Sequence, residues 1–196
     1  MTARPNPVNR TSTSKASSAP LESNKTALVS SSASLTGSFP IKLGAAVIIQ
    51  PRSLLSSAIG PIAIGESCII SERASIINFT QSSPQPETNQ SSLPKTSLAE
   101  GVLIECGAEV EAASIGAFTV IEAGATVGKG AVIGSYCKVC ARVQIGEGEV
   151  VADGTVVFGS GWGERRAGRK GGVMEEKREA WVKEQGEVLR KLWTGK

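Results

Sequence analysis

Aliphatic residues recur at every sixth position along much of this chain. The longest run has eight members and no gap: Ile115, Ile121, Val127, Ile133, Val139, Ile145, Val151 and Val157. A period of six matches neither the 3.6-residue repeat of an α-helix nor the two-residue alternation of a single strand. The run therefore predicts a coiling chain in which every sixth residue points the same way.

The same period continues upstream in three shorter blocks. Their members are Leu43, Ile49 and Leu55, then Ile64, Ile70 and Ile76, then Leu98, Ile104 and Val110. Three extra residues around Gly60-Pro61 separate the first two blocks, and one residue is missing between Val110 and Ile115. Seventeen aliphatic positions thus follow one six-residue rule.

The other positions of the six-residue unit are patterned as well. Four places after the aliphatic residue comes a small or apolar one, at Val47, Ser53, Cys68, Ala74, Val102, Ala108, Thr119, Ala125, Ala131, Cys137, Val143 and Thr155. Three places after it comes glycine, at Gly101, Gly107, Gly124, Gly130, Gly148 and Gly154. Because side chains alternate along a strand, positions four and six can both point inward, and glycine at position three permits a corner with positive φ.

This repeat predicts an all-β fold, the hexapeptide-repeat parallel β-helix. Three units make one triangular turn, so seventeen units predict five to six turns within residues 39–161. The left hand of the coil follows from resemblance to hexapeptide-repeat proteins and not from the spacing.

The remaining segments have other compositions. Residues 1–38 are rich in serine and threonine, and we expect a disordered tail there. Residues 79–97 contain scattered prolines and predict a flexible insertion, and residues 162–172 a glycine-rich basic linker. Residues 173–193 carry apolar positions at helical spacing and predict a helix about as long as the prism, which could cover its open strand edges.

This helix and the segment before it hold all three tryptophans, Trp162, Trp181 and Trp193. Tryptophan is enriched at interface hot spots, so we take these residues and the neighbouring Leu192 as candidate contacts to a partner. The alternative is that they pack on the chain's own prism. The pattern leaves open whether the helix packs on this chain or on a neighbour.

The chain has no histidine among its 196 residues. This excludes nucleophile pairs, metal sites and general bases that depend on imidazole. Neither a membrane span nor a secretory signal is expected, because no apolar run is long enough and the first twenty residues lack an apolar core. The four cysteines are therefore interpreted as cytosolic thiols.

Three further features have both a functional and a structural interpretation. Cys137 and Cys140 form a CxxC that could be a redox pair or half a zinc site, but Cys137 also occupies an inward position of the repeat. The basic cluster within residues 165–170 lacks interleaved aromatics, so a solvated hinge is preferred to a specific nucleic-acid site. Glu149 replaces a small residue, which indicates a distorted last turn or a bulge. We expect no catalytic, cofactor or metal residues.

Several segments occur in a characteristic order: Gly60–Glu66, Ala74–Asn78, Val120–Glu122, Val127–Lys129, Ile133–Cys137 and Gly154–Gly159. With the inserted loop and the terminal helix, they resemble the dynactin subunit 6 family. This family is a histidine-poor branch of the hexapeptide-repeat proteins, related to acyltransferases and γ-carbonic anhydrase-like β-helices. The resemblance covers about residues 41–193.

The resemblance implies a non-catalytic subunit of dynactin, the cofactor of the cytoplasmic dynein motor. In that family, subunits 5 and 6 pair in the pointed-end complex near an actin-related protein and help link dynein to cargo. The implied location is the cytoplasm and cytoskeleton, with no cofactor and only indirect contact with dynein. The alternative is an acyltransferase or γ-carbonic anhydrase-like homotrimer, against which the absence of histidine argues.

Overall fold

The computed structural model describes residues 18–78, 95–159, 164–167 and 172–194. Within these ranges the chain forms twenty-one short strands and one α-helix. Strands β1 to β20 belong to three parallel sheets that the chain visits in rotation. They make six full turns and two strands of a seventh, so the predicted β-helix is confirmed.

The first sheet holds β1 (Leu21–Ser23), β4 (Ile41–Leu43), β7 (Ile62–Ile64), β10 (Thr96–Leu98), β13 (Ser114–Ile115), β16 (Val132–Ile133) and β19 (Val150–Val151). The second holds β2 (Leu28–Val29), β5 (Ile48–Ile49), β8 (Ile69–Ile70), β11 (Leu103–Ile104), β14 (Val120–Ile121), β17 (Lys138–Val139), β20 (Thr155–Phe158) and the antiparallel β21 (Glu164–Ala167). The third holds β3 (Ser34–Gly37), β6 (Leu54–Ser57), β9 (Ser75–Ile77), β12 (Glu109–Val110), β15 (Thr126–Val127) and β18 (Gln144–Ile145).

The strand register explains the period of six. Ile115 is paired with Ile133 in the first sheet, Ile121 with Val139 in the second, and Val127 with Ile145 in the third. Each step is eighteen residues, or three units, so equivalent side chains stack in columns. All seventeen aliphatic positions are buried in one core cluster, together with nine of the twelve inward positions four residues later. The other three inward residues are polar and are buried as well: Ser53, Thr119 and Thr155.

The corners follow the prediction for glycine and extend it. All six predicted glycines have φ between 64° and 68°. The same corner position also holds seven non-glycine residues with φ between 52° and 60°: Ala46, Arg52, Ser67, Arg73, Phe118, Tyr136 and Arg142. The left-handed region costs an L-residue about 1–2 kcal/mol. Hydrogen bonds between turns hold the chain there; for example, the Tyr136 N–H donates to the Ala117 carbonyl at 2.7 Å.

The predicted disordered tail is wrong for residues 18–38. This segment forms β1, β2 and β3, the first turn of the prism, and its Leu28 N–H donates to the Val47 carbonyl at 2.8 Å. Val29 and Leu35 fill the inward positions, but Ser23 replaces the aliphatic residue that would have revealed the repeat. Residues 1–17 lie outside the described residues.

Two other boundaries also differ from the prediction. The insertion ends earlier than residue 97, because Thr96–Leu98 forms β10 between β7 and β13. Residues 79–94 lie outside the described residues. Within the predicted linker, β21 runs antiparallel to β20 and covers its free edge. The predicted helix is confirmed as α1 (Gly172–Thr194).

Candidate interaction surface

The helix α1 packs against its own prism, along its length. Near one end, the Arg178 guanidinium donates to the carbonyls of Tyr136 and Cys137 in the sixth turn, the latter at 3.1 Å. Towards the other end, Arg190 Nη1 donates to the Thr26 carbonyl in the first turn at 3.1 Å. The helix therefore crosses the turns from last to first. It lies on a side of the prism and does not cover a strand edge, which is the role of β21 at the second sheet.

One seam of the helix is seated on the second sheet. Val182 is only 1% exposed, and Leu189 packs against a cluster of outward-facing residues, Ile69, Leu103 and Val120. These outward residues explain a sequence pattern that the six-residue rule does not include. The strands β5, β8, β11 and β14 each carry two adjacent aliphatic residues, which is typical of a strand buried on both faces.

We predict that Gly186→Ala stabilises the protein. Gly186 lies in the interior of α1, where glycine costs about 1 kcal/mol relative to alanine. A Cβ at this position would meet only Ile69 Cδ1, at 4.0 Å, which is an ordinary van der Waals contact. The melting temperature in thermal denaturation should rise by about 2–4 °C. A fall would mean that the helix lies closer to the second sheet than the structure places it.

A polar contact fixes the rotation of the helix about its axis. The Tyr136 hydroxyl donates to Glu179 Oε1 at 2.7 Å, and its ring stacks on Phe118 with centroids 5.6 Å apart. Burial lowers the pKa of the Arg178 guanidinium from its usual value. The Arg178 guanidinium remains charged at neutral pH, because the usual pKa of arginine lies far above 7.

A second seam of α1, shifted by one residue, remains accessible. Trp181 is 39% exposed, Leu192 77% and Trp193 40%. Trp181, Gln185, Val188 and Leu192 follow the spacing i, i+4, i+7 and i+11, which is the pattern of a helix–helix contact. The structure thus divides the predicted apolar side into a seated and an exposed seam. Trp162 lies outside the described residues, so its contacts are not placed.

Two grooves run beside the exposed seam. One of about 340 Å³ lies between α1 and the second sheet and is lined by Trp181, Val120, Lys138 and Glu122, among others. The other, of about 490 Å³, lies at the end of the helix and is lined by Gln50, Pro51, Leu189, Leu192 and Trp193. Large apolar side chains beside shallow grooves are suited to contact with another protein.

The acids next to the first groove have structural partners. Glu122 Oε1 forms an ion pair with Lys138 Nζ at 2.6 Å, and this hydrogen bond raises the pKa of Lys138. Glu122 Oε2 accepts from the Ala141 N–H at 2.9 Å, and Glu105 Oε2 accepts from the Ala123 N–H at 3.1 Å. Both carboxylates therefore bind the backbone of the next turn, which occupies them as parts of the scaffold.

The cysteines do not come together. Cys137 points inward and its thiol donates to the Ala152 carbonyl at 3.1 Å, while Cys140 is partly buried beside the core. Burial raises the pKa of both thiols and raises that of Cys68 to about 12. Cys106 is exposed. A thiol with a raised pKa is a weak nucleophile, which agrees with the structural interpretation of the CxxC.

Glu149 has a local structural role. Its carboxylate Oε2 accepts a hydrogen bond from the Gly146 N–H at 2.8 Å, three residues earlier in the last turn. The side chain is half-buried. This hydrogen bond spans the corner between β18 and β19.

The described residues hold no cluster of three acidic or cysteine side chains with the geometry of a metal site. No helix within the described ranges is long and apolar enough to cross a membrane.

No family model matches the chain. Curated relatives do match it: dynactin subunit 6 of Danio rerio is 32% identical over 120 residues, and that of Xenopus tropicalis is 31% identical over 121 residues. The chain resembles dynactin subunit 6. Each alignment covers 61% of this chain, and it spans 62% and 59% of these two dynactin subunit 6 proteins, less than two thirds of their length.

A comparison of structures gives the same fold at lower identity. A hexapeptide transferase family protein from Anaplasma phagocytophilum has a TM-score of 0.68 and 15% identity, over 90% of this chain and 96% of that protein. At this identity the likeness establishes the hexapeptide-repeat β-helix fold alone. The chain thus has the fold of a hexapeptide transferase family protein. In sequence it is similar to dynactin subunit 6.

Proposed function

We propose that this protein is a non-catalytic structural subunit of dynactin. In this proposal it pairs with dynactin subunit 5 in the pointed-end complex, close to the actin-related protein, and helps dynein–dynactin bind cargo and move along microtubules. It would act in the cytoplasm, on the cytoskeleton. The observation that carries the proposal is the similarity to proteins named dynactin subunit 6 from three animals, at 28–32% identity.

The geometry supports a scaffold role. The prism is held by a continuous core through all its turns, and one of its three sides is covered by α1. Glu105 and Glu122, which lie beside α1, bind backbone N–H groups, and Trp181, Leu192 and Trp193 on the helix are large, apolar and exposed. A rigid body with an apolar seam on its surface is suited to docking and needs no reaction centre.

The transferase alternative has only the fold to support it. Hexapeptide acyltransferases work with an active-site histidine and are normally homotrimers, and this chain contains no histidine. The two functions therefore differ in the assembly that they predict. A scaffold subunit should form a mixed complex, and an enzyme of the transferase type should form three identical protomers.

The test is to mix the purified full chain with purified dynactin subunit 5 and to measure the mass by light scattering during size-exclusion chromatography. The proposal expects a stable complex that contains both chains. A homotrimer that leaves subunit 5 unbound would contradict it and would favour the transferase alternative.

We predict that Leu192→Asp weakens assembly of this protein into dynactin without weakening its fold. Leu192 is 77% exposed, so the carboxylate stays in water and the free energy of unfolding should change by less than about 0.5 kcal/mol. In an interface, the same carboxylate would be buried without a partner, at a cost of about 2–4 kcal/mol. Recovery of dynactin subunits on the tagged variant measures the effect. Lys191→Ala, an exposed neighbour, is the control, and equal recovery with both variants would remove this seam from the interface.

A further inference from the structure

The exposed seam of α1 consists of Trp181, Gln185, Val188 and Leu192, of which three are apolar. Each residue of a helix advances about 100° around the axis, so the centre of this seam lies about 90° from the buried Val182. The seam therefore points sideways along the surface of the prism. A second helix can lie beside α1 on this seam while Val182 keeps its place on the second sheet.

The spacing of the seam is the same when it is followed in either direction, because its steps are four, three and four residues. This symmetry suits an antiparallel second copy, since Leu192 then lies opposite Trp181 of the second copy. In the next layer Val188 lies opposite Gln185 of the second copy. Each layer combines a larger and a smaller side chain, whereas a parallel copy would place two indoles in one layer and two glutamines in another. The side chains of the seam therefore fit an antiparallel copy better than a parallel one.

Two charged residues flank the seam on its solvent side and select the register. Glu184 and Lys191 are exposed, and each precedes a residue of the seam by one position. In the antiparallel arrangement Glu184 lies beside Lys191 of the second copy, and the two-fold symmetry forms this ion pair twice. A copy displaced by one heptad in one direction would bring two Glu184 side chains together, and in the other direction two Lys191 side chains. The charges thus favour the register that the apolar layers require.

Neither of these charges holds the helix on its own prism. Within the described residues, neither Glu184 nor Lys191 takes part in an ion pair or a side-chain hydrogen bond. Charges elsewhere on α1 differ, because Lys183 forms an ion pair with Glu179 at 4.0 Å and Arg190 donates to a carbonyl of the first turn at 3.1 Å. Glu184 and Lys191 are therefore available to a second molecule, and together they carry the two signs that a copy of the chain complements.

We propose that the free protein forms a two-fold symmetric dimer in which the exposed seams of two α1 helices pack antiparallel. The contact covers the apolar residues of the seam on each copy and adds two ion pairs between the copies. It extends over about three helical turns, which is small for a specific interface, so the dimer should be weak and reversible. The inference goes beyond the proposed function, because it assigns a partner to the seam before the chain assembles with other subunits.

The experiment is sedimentation equilibrium of the purified full chain alone, at concentrations from about 1 to 200 μM. We expect a monomer–dimer equilibrium with a dissociation constant in the micromolar range. Glu184→Lys turns both ion pairs into like-charge pairs, and so does Lys191→Glu, so each variant should weaken the dimer about tenfold or more. The double variant restores opposite charges and should recover the affinity of the unaltered chain to within about threefold.

Glu187→Lys is the matched control for the charge reversals. Glu187 is an exposed acid of the same helix, and it lies outside the seam and its charged flank. The substitution changes the net charge as Glu184→Lys does, so the dissociation constant should stay within about threefold of that of the unaltered chain. All of the substituted positions are exposed, so the variants should keep the melting temperature of the unaltered chain to within about 3 °C.

The outcomes separate this inference from the proposed function. A chain that stays monomeric over this range would overturn the inference and leave the proposed function standing, since no other subunit is present in the experiment. The inference also fails if the single reversals do not weaken association, or if the double variant stays as weak as they are, because the copies then meet through another surface or in another register. A trimer that ignores the charge reversals would overturn it too and would favour the transferase alternative.

Discussion

Ile133→Asp should unfold the prism. Ile133 is 2% exposed and stacks in register between Ile115 and Val151 in the first sheet. The substitution removes an apolar side chain whose burial contributes about 1.5–3 kcal/mol and introduces a carboxylate with no partner into a dry interior. The combined loss of about 5 kcal/mol or more approaches the whole free energy of unfolding of a typical domain. We expect a melting temperature at least about 10 °C lower, or no folded protein. Val127→Asp, at a fully buried position, should behave alike.

Val132→Asp is the matched control for this prediction. Val132 precedes Ile133 on the same strand, but its side chain points outward and is 38% exposed. The new carboxylate can remain hydrated, so the melting temperature should change by no more than about 3 °C. Similar melting of the two variants would mean that inward and outward positions are not separated as the period of six requires.

The contrast between these neighbours also explains why so much of the fold is visible in the sequence. In a stacked coil the equivalent residue one turn later has the same environment, so each inward position occurs many times in the sequence. Ile115, Ile133 and Val151 are three members of one column of stacked side chains. The corner position is repeated in the same way, and glycine occupies six of its thirteen left-handed residues. The repeat therefore predicts the core, the corners and the number of strands per turn.

The limits of the prediction are the places where repetition ends. The first turn was missed because its inward column begins with Ser23, and a terminal turn has a neighbour on one side only, so its sequence is less constrained. The short β21 could not be predicted either. It owes its conformation to the edge of β20 and not to any period of its own.

The candidate interaction surface was predicted less sharply for a different reason. The seam at Val182 and Leu189 and the seam at Trp181 and Val188 have the same seven-residue spacing and differ by one residue. Helical periodicity alone cannot say which of them faces the protein. The structure decides between them, because Leu189 packs on the outward residues Ile69, Leu103 and Val120 of the second sheet. The exposed tryptophans and Leu192 stay candidate contacts until assembly is measured.

Gly37→Ala should release the first turn of the prism. Gly37 ends β3 with φ at +128°, where an L-residue is strained. A Cβ there would lie 2.4 Å from the Ser57 carbonyl carbon and 2.6 Å from its oxygen, and these backbone atoms of the second turn cannot move aside without breaking their own contacts. Separation of the first turn from the second relieves both strains. We therefore expect residues 21–37 to lose protection from hydrogen exchange by at least about a hundredfold, while the later turns keep theirs.

The choice of control isolates the clash in this prediction. Gly107 also has positive φ, +68°, but a Cβ there would meet nothing within 4 Å. Gly107→Ala should cost only the conformational strain of about 1–2 kcal/mol and should leave the first turn protected. If Gly37→Ala exchanges like Gly107→Ala, the close approach to Ser57 is wrong. If residues 21–37 are unprotected even in the unaltered protein, the serine-rich composition outweighs the hydrogen bonds to the second turn, and the tail expected from the sequence extends over them after all.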